Sequence, residues 1–288
     1  MGDITLRKAL DDYKTVYMPY RNFAERTRVE YLNDLEDFIT FLEKSEIRHT
    51  KVVGLPIIER YVANLEQRGF ASLTRKRKVV VIRSFLLFLY QDAYMDTNIA
   101  KKVVLPFSES TIPHVLTQKE CDKLQNACAE SPRDMAIIEV LLQTGIKLSE
   151  LVRLTKNDIE LLETTETGEK CNGFVRILGG RGEKDRIISV NTKACLALKN
   201  YLDTRRDAGS DSIFLNRFGG PLGERGVQKM LRKHLKKAMI GKVSINTLRH
   251  TFGAYHIAKG TNLKTIQEVM GLRDPRSTSI YISLAKGS

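Results

Sequence analysis

The chain has 288 residues, of which 42% are hydrophobic and 28% charged, and its formal net charge is +13. This composition excludes a disordered chain and suits one large domain or two ordinary ones. The excess of Lys and Arg favours nucleic acid as a partner over an acidic membrane surface, although charge alone also fits a basic protein with neither. No apolar run has the length of a signal peptide or a membrane span, so we expect a cytoplasmic protein.

The four cysteines are Cys121, Cys128, Cys171 and Cys195, and they form no CxxC pair. They also do not cluster with the five histidines, which argues against a zinc site. We therefore expect reduced, partly buried thiols and no bound metal.

Apolar residues at helical spacing predict four helices in the first hundred residues. The first has its apolar face at Leu6, Leu10, Tyr13 and Tyr17. The second has its apolar face at Val29, Leu32, Leu35, Ile39 and Leu42. The third begins at Pro56 and ends at Gly69, and the fourth extends from about Thr74 to Gln91. Together they form a four-helix unit of ordinary domain size.

The segment from Lys101 to Val115 changes character, because it contains two prolines and little periodicity. Such a segment is typical of an interdomain linker. We therefore assign residues 1–104 to a first domain, 105–115 to the linker and 116–288 to a second domain.

The second domain is predicted to be mostly helical. Thr117 and Glu120 have the spacing of a capping box at the start of a helix, and Gly145 is a suitable residue to end one. Residues 174–178 and 186–190 read as two short strands around a glycine-rich turn, and helices follow them to the end of the chain. The fold class is therefore mainly α, with two domains and a small antiparallel sheet in the second.

Two basic clusters favour contact with DNA phosphates. The first is a run of four cations at the start of the fourth helix, where the helix dipole is unfavourable to cations unless an anion lies nearby. We expect phosphate contact, rather than a solvated charge run, at Arg75, Lys76, Arg77 and Lys78. In the second cluster the cations share one face of a helix, at Lys229, Arg232, Lys233, Lys236 and Lys237. A membrane surface also attracts such a helix, but the lack of aromatic residues on its polar face favours a DNA groove.

Four motifs in the second domain give a specific resemblance. Residues 144–159, TGIKLSELVRLTKNDI, resemble TGLRxSELxxLxxxDI, and residues 179–190, GGRGEKDRIISV, resemble GKGxKxRxVPL. Residues 246–252, NTLRHTF, resemble HxLRHTF, and residues 270–282, MGLRDPRSTSIYI, resemble LGHxxxxxTxxYxH. These are the motifs of the tyrosine recombinase (phage integrase, Xer-like) family, in the family's order and spacing. Residues 72–103 and 112–124 also resemble the end of its core-binding, SAM-like domain and the entry to its catalytic domain.

The resemblance implies chemistry that needs no metal or other cofactor. A tyrosine hydroxyl, here that of Tyr281, attacks a DNA phosphorus to form a 3′-phosphotyrosyl link and free a 5′-hydroxyl. Arg249 and Lys147 would clamp the phosphate, because cationic donors stabilise its developing charge. Arg181 or Lys184 would aid this clamp. The family's lysine, which can protonate the leaving oxygen, is replaced by Arg181, and Lys184 would be its substitute.

The catalytic set departs from the family's pattern at four positions. Lys147 replaces an arginine and loses the bidentate fork, and Arg181 replaces a lysine and is a poor proton donor. Asn246 stands where histidine is usual and cannot relay a proton, and Leu272 replaces another histidine and can only pack. His250 reads as a core histidine, or as a support for the neighbouring Arg249.

Two functions are compatible with this pattern. The first is a site-specific DNA recombinase or integrase serving a mobile element or a chromosome, and the persistence of Tyr281 and Arg249 favours it. The second is a weak or inactive DNA-binding relative that acts as a regulator or architectural factor. In both cases the resemblance implies double-stranded DNA as the partner, gripped by the two domains as a C-shaped clamp, and a nucleoid-associated protein. It also implies a homo-oligomer on DNA, a tetramer in the family, and neither a membrane nor a small-molecule substrate.

Overall fold

The computed structural model describes residues 4–107, 113–163, 171–180, 184–206, 209–241, 243–272 and 276–285. By their contacts, the residues of the chain separate into two compact units, 1–110 and 111–288. Among the described helices, none combines the length and the apolar character needed to span a membrane.

The first unit is a set of helices around one apolar core. Its first helical segment consists of α1 (Leu6–Asp12), a π-helical turn (Tyr13–Tyr17) and α2 (Met18–Tyr20). The longer helices are α3 (Glu25–Lys44), α4 (Leu55–Gln67) and α5 (Ser72–Gln91). Short 3₁₀ turns lie at Thr50–Val52 and Ile99–Lys101. Rings of Tyr13, Phe85 and Phe88 pack edge to face with centroids 5.3 Å from Tyr13, which supplies the bulky centre of a core without tryptophan.

Helical periodicity predicted the buried faces of this unit well. Leu6 and Tyr13 are buried in the first segment, as are Leu35 and Ile39 in α3. Val29 is an exception, because half of its surface is exposed one turn after the helix begins. Helix α5 begins at Ser72, two residues before the predicted start, so the basic run at 75–78 lies beyond its first turn.

The second unit combines helices with a small sheet. Its N-terminal helices are α6 (Gln118–Cys128), α7 (Pro132–Thr144) and α8 (Leu148–Leu151), followed by a 3₁₀ turn at Lys156–Asp158. The strands are β1 (Ile159–Glu163), β2 (Cys171–Ile177) and β3 (Arg186–Val190). The later helices are α9 (Thr192–Thr204), α10 (Glu224–Ala238), α11 (Ile245–Ala258), α12 (Leu263–Met270) and α13 (Arg276–Ala285).

The sheet is antiparallel with β2 in the centre. Val175 pairs with Ile159 of β1 on one side and with Ile188 of β3 on the other. The pairing of β2 with β3 confirms the predicted hairpin strands. Strand β1 was not predicted, because its sequence IELLE lacks the alternation of a half-buried strand and it becomes a strand by pairing with β2.

Helix α7 is the centre of the second unit and is buried on nearly every side. It packs against α9, α11, α6 and β3, which explains why its apolar residues do not keep to one face. The predicted capping box of Thr117 and Glu120 is present at the start of α6. Cys121 and Cys128 are free and buried, whereas Cys195 is disulfide-bonded, so the prediction of reduced thiols is wrong for Cys195.

Candidate active site

Arg249 is a buried cation in the second turn of α11. The helix begins at the N-cap Ser244, which forms a capping box with Thr247, and this places Arg249 where its side chain is only 7% exposed. Its guanidinium donates hydrogen bonds to the backbone oxygens of Gly145 and Met270, and the second of these bonds is 2.6 Å long. Arg249 therefore joins the end of α7 to the end of α12. A guanidinium has five N–H donors, more than these two carbonyl bonds use.

The loop that carries Lys147 begins with a glycine that no other residue can replace without movement. Gly145 ends α7 with a φ of +59°, the left-handed conformation expected from the sequence. A Cβ atom there would lie 2.4 Å from a ring carbon of Phe252, on α11. The glycine thus lets the loop approach α11 closely, which brings the Gly145 oxygen within reach of Arg249.

Lys147 is held at its backbone by a buried carboxylate. Its amide donates to Oε2 of Glu150 over 2.7 Å, and its Nζ lies 3.9 Å from Oε1 of Glu150. Glu150 also accepts two hydrogen bonds, of 3.0 and 2.8 Å, from the guanidinium of Arg186 in β3. Arg186 in turn donates from Nε to the backbone oxygen of Val269. One carboxylate therefore connects the Lys147 loop, the sheet and α12, and about a third of the Lys147 side chain stays exposed.

Tyr281 lies on α13 with its ring buried to 2% exposure. The ring packs against Gly253 of α11, where a Cβ atom would lie 2.6 Å from two ring carbons. The hydroxyl is hydrogen-bonded to Nδ1 of His250 over 3.2 Å. Burial raises the pKa of Tyr281, although the charge of Arg249 opposes the shift. Burial also lowers the pKa of His250, and the Arg249 charge adds to that shift.

The structure brings three predicted residues into one region of the second unit. Arg249 bonds to Gly145, two residues before Lys147, and its neighbour His250 bonds to Tyr281. Asn246 lies in the first turn of α11 and is exposed, and Lys184 is exposed just before β3. Arg181 lies outside the described residues.

His250 is the contact of Tyr281 that the sequence pattern did not predict. It reads as a core or supporting histidine because nothing in its spacing connects it to a tyrosine 31 positions later. Glu150 and Arg186 were also missed as a pair, although both lie inside the quoted motifs. Leu272 packs beside the cluster of Phe252, Met270 and Tyr281, as its hydrocarbon side chain requires.

The first basic cluster, Arg75 to Lys78, is already surrounded by carboxylates. Lys78 is buried, and its ammonium lies 3.1 Å from Asp34 and 2.9 Å from Asp37. Arg77 pairs with Asp34, and Arg75 pairs with Glu66. These acids resolve the conflict with the helix dipole, so an anion is not needed to explain the run; DNA contact by these residues stays a prediction.

The second basic cluster lies on α10 as the periodicity indicates. Val227, Met230, Leu231 and Leu235 are buried, and the five predicted cations are exposed. Lys237 forms an exposed ion pair of 3.0 Å with Glu130. The predicted division of α10 into an apolar face and a basic face is confirmed, and its contact with DNA remains a prediction.

Comparison with known proteins identifies the class of this chain. Residues 114–287 match the phage integrase family, and residues 10–93 match the phage integrase N-terminal SAM-like domain. The chain belongs to the phage integrase family, the family of the tyrosine recombinases.

The described part of the chain contains no group of three or more His, Cys, Asp or Glu residues able to hold a metal ion.

Similar proteins within this family are tyrosine recombinases of the Xer type. The chain is 33% identical to the tyrosine recombinase XerD of Halalkalibacterium halodurans, over 92% of this chain and 89% of that protein. It is 30% identical to XerC of Bacillus subtilis, over 92% and 88% of the two chains.

Solved structures share its fold. A lambda integrase tetramer bound to a Holliday junction superimposes with a TM-score of 0.77 at 16% identity, over 97% of this chain and 78% of that one. A post-cleavage complex of XerH on a palindromic difH substrate gives 0.76 at 18% identity, over 96% and 82% of the two chains. These likenesses support the mainly helical two-domain fold class predicted from the sequence.

Proposed function

We propose that the protein is a site-specific DNA recombinase that cleaves and rejoins DNA through a 3′-phosphotyrosyl link to Tyr281. One observation carries the proposal: in a member of the tyrosine recombinase family, Arg249 and the hydrogen-bonded Tyr281 lie on packed helices of the same unit. Arg249 and Tyr281 keep the residue types that the chemistry requires, a guanidinium for the phosphate and a phenol for the attack.

The remaining catalytic roles fall to residues that fit them less well. Lys147 would supply a positive charge to the phosphate, but as a point charge without a fork. By its position in the hairpin motif, Lys184 would serve the leaving 5′ oxygen, and Arg181 or Lys184 would aid the phosphate clamp. Loss of one well-placed donor costs about 3–4 kcal/mol in other enzymes, so we expect slow cleavage rather than a fast enzyme.

The burial of Tyr281 has a direct consequence for this mechanism. A phosphodiester cannot reach a hydroxyl on a side chain that is 2% exposed. The residues that cover Tyr281 must therefore move aside before attack, while its contact with α11 can persist. We expect DNA binding to supply the energy for this rearrangement, because a conformational change requires a ligand with different affinities for the two states.

Double-stranded DNA is the proposed partner, in a homo-oligomer assembled on paired sites. The support comes from the basic face of α10 and from the related structures, which are integrases and Xer recombinases on DNA substrates, one of them a tetramer. A protein that acts on DNA in this way would be nucleoid-associated.

The decisive experiment is a cleavage assay on a nicked duplex that carries a binding site selected by the protein from random sequences. The nick lets the freed strand diffuse away and traps the covalent complex. We expect a protein–DNA adduct that survives denaturing electrophoresis, is absent in Tyr281→Phe and persists in the control Tyr255→Phe, whose ring is exposed on α11. Tight binding without any adduct would contradict the proposal and leave a non-catalytic DNA-binding protein.

A further inference from the structure

The proton of Tyr281 needs an acceptor, and the two positions at which this chain lacks a histidine of the family's motifs, 246 and 272, cannot provide one. Asn246 carries an amide, which does not take up a proton near neutral pH, and its side chain is exposed at the start of α11. Leu272 carries a hydrocarbon. The Tyr281 hydroxyl is instead hydrogen-bonded to His250, a residue that neither position predicts.

We infer that His250 is the proton acceptor for Tyr281 in DNA strand cleavage, in place of the histidines that the chain lacks. The inference rests on the proposed recombinase function and deepens it. As the Tyr281 oxygen forms its bond to phosphorus, the phenolic proton passes to Nδ1 of His250. The bond from phosphorus to the 5′ oxygen breaks, and that oxygen takes a proton from the Lys184 ammonium or from water. Religation reverses each transfer, so atoms and charge balance.

Geometry is the first support. The distance of 3.2 Å between Nδ1 and the hydroxyl oxygen is within the reach of direct proton transfer. The centroids of the two rings are 5.7 Å apart with their planes inclined by 42°, and the Tyr281 ring packs against Gly253. His250 also follows Arg249 directly on α11, so one turn of helix carries both the phosphate-binding cation and the group beside the nucleophile.

The ionisation of the two groups is the second support. The raised pKa of Tyr281 keeps the phenol protonated and poorly nucleophilic, so attack requires a base. The lowered pKa of His250 keeps its imidazole neutral at physiological pH, with a lone pair available to accept the proton. Among the described residues, Arg249 acts on His250 through its charge and Tyr281 through its hydrogen bond. The charge of Arg249 disfavours a permanently protonated His250. The proton is thus taken up during the reaction and returned in its reversal.

The test compares rates of covalent adduct formation on the nicked substrate in single turnover. His250→Ala is expected to form adduct about 10²–10⁴-fold more slowly than the unmodified chain at equal DNA affinity, and added imidazole is expected to restore part of the rate. The control is His256→Ala, which removes a half-buried histidine whose ring packs at a tilt against Phe252 of the same helix. The control is expected to retain the rate and to show no response to imidazole.

A second variant protects the test if His250→Ala fails to fold. In His250→Gln the amide retains a hydrogen bond to the hydroxyl but cannot take its proton, so slow cleavage is expected again. Adduct formation by His250→Gln within a few-fold of the normal rate would overturn the inference, since orientation alone would then suffice. Faster adduct formation by either variant would overturn the inference too, because His250 would then hold Tyr281 in an inactive position instead of accepting its proton. Absence of adduct from the unmodified chain would instead defeat the proposed function itself.

Discussion

At the scale of single residues, the packing of Tyr281, the proposed nucleophile, depends on a position that has no side chain. Gly253 lies on α11 where the Tyr281 ring packs flat against the helix, and the neighbouring turn supplies His250 to the hydroxyl. The ring and its hydrogen bond are therefore set by the same two turns of helix. Any group added at position 253 competes directly with the tyrosine for this space.

Gly253→Ala tests this dependence. The new Cβ atom would lie 2.6 Å from two ring carbons, so the ring must leave its place. We expect a loss of about 1–3 kcal/mol of unfolding free energy, as in other overpacked cores, and greater exposure of Tyr281. Urea unfolding and tyrosine iodination measure the two effects. Gly241→Ala is the matched control, because nothing lies within 4 Å of its added carbon; equal results for both variants would contradict the prediction.

Lys147 is the residue at which we expect one substitution to raise the rate of DNA cleavage most easily. Lys147→Arg restores a planar fork that can donate two hydrogen bonds to one phosphate, while Glu150 continues to hold the loop through the backbone amide. We expect adduct formation on the nicked substrate to become about tenfold faster or more. Lys264→Arg, an exposed position on α12, is the control and is expected to leave the rate unchanged. A slower Lys147→Arg variant would show that this loop is adapted to lysine.

At the scale of elements, the two basic clusters differ in what surrounds them. In the first unit, burial would raise the pKa of Asp37, but hydrogen bonds from Arg68, Tyr61 and Lys78 lower it to about 2. Lys78 is therefore part of a buried ion-pair network between α3 and α5. The α10 cations extend from an exposed face. Removing a cation from the first cluster should thus lower stability, whereas removing one from the second should weaken DNA binding.

Lys233→Ala and Lys78→Met separate these roles. Lys233→Ala is expected to weaken DNA binding to all sequences alike and to reduce the slope of log affinity against log salt by about 1, with normal stability. Lys78→Met leaves the buried Asp34 and the partly buried Asp37 short of a partner and is expected to cost about 3 kcal/mol of unfolding free energy. Fluorescence titrations at several salt concentrations and urea unfolding measure both. Lys119→Ala, exposed on α6, controls for charge; a salt slope unaffected by Lys233→Ala would count against groove binding by α10.

The contact of α7 with α10 includes a buried acid–base pair. Asp134 accepts hydrogen bonds from Nε2 of His234 over 2.8 Å and from Arg133 over 2.7 Å. Burial alone would raise the pKa of Asp134, but the bonds from His234 and Arg133 outweigh it and lower the pKa. The carboxylate therefore contributes stability above its unfolded pKa near 3.8, and this stability is lost as pH falls through the lower folded value.

Asp134→Asn makes that contribution measurable. At pH 7 we expect the variant to lose about 2 kcal/mol of unfolding free energy, because a charged hydrogen-bond acceptor is replaced by a neutral one. The difference in unfolding free energy between the variant and the unmodified chain is expected to narrow below about pH 4, as Asp134 of the unmodified chain becomes protonated. Denaturant unfolding at a series of pH values measures this difference. Glu130→Gln is the surface control: it removes only an exposed ion pair with Lys237 and is expected to change the free energy of unfolding much less than Asp134→Asn does. A difference independent of pH would refute the ionic explanation.

Several of these elements could be predicted from the sequence, for identifiable reasons. The faces of α3, α5 and α10 follow from local periodicity, and the ends of α6 and α7 follow from the capping box and from Gly145. Strand β1 could not be predicted, since its conformation depends on pairing with residues that follow it in the chain. The neutralisation of the basic run on α5 was missed for the same reason: its acids lie on α3 and α4.

At the scale of the whole molecule, each of the two units has its own apolar core. Residues of one cluster, such as Ile39 and Phe85, come entirely from the first unit, and those of another, such as Ile137 and Leu248, come entirely from the second. Cores of this kind are the usual basis of independent stability. The stability of either unit should therefore respond to substitutions in its own core.

Calorimetry tests this independence. Ile39→Ala is expected to lower the midpoint of one thermal transition by several degrees, because it removes buried methyl groups from the first core. Ile137→Ala is expected to lower the other transition and to leave the first in place. These two variants control each other, and a single transition that moves equally in both would show that the units unfold together.

The site shows where prediction from sequence ends at this scale. The order and spacing of the motifs identified Arg249 and Tyr281, because a resemblance to a family carries long-range information that periodicity lacks. The connection between His250 and Tyr281 requires α11 and α13 to pack together, and nothing local encodes that packing. The role of Glu150 in joining a loop to β3 likewise appears only after the sheet has formed.

The bonds made by Arg249 have one more consequence, for the evolution of the chain. Two of its acceptors are main-chain oxygens, so side chains elsewhere around the site can change without removing these two bonds. Substitutions at positions such as 246 and 272 thus leave these two bonds of Arg249 in place. Proton-handling groups can therefore be lost or exchanged along a lineage while this part of the scaffold persists.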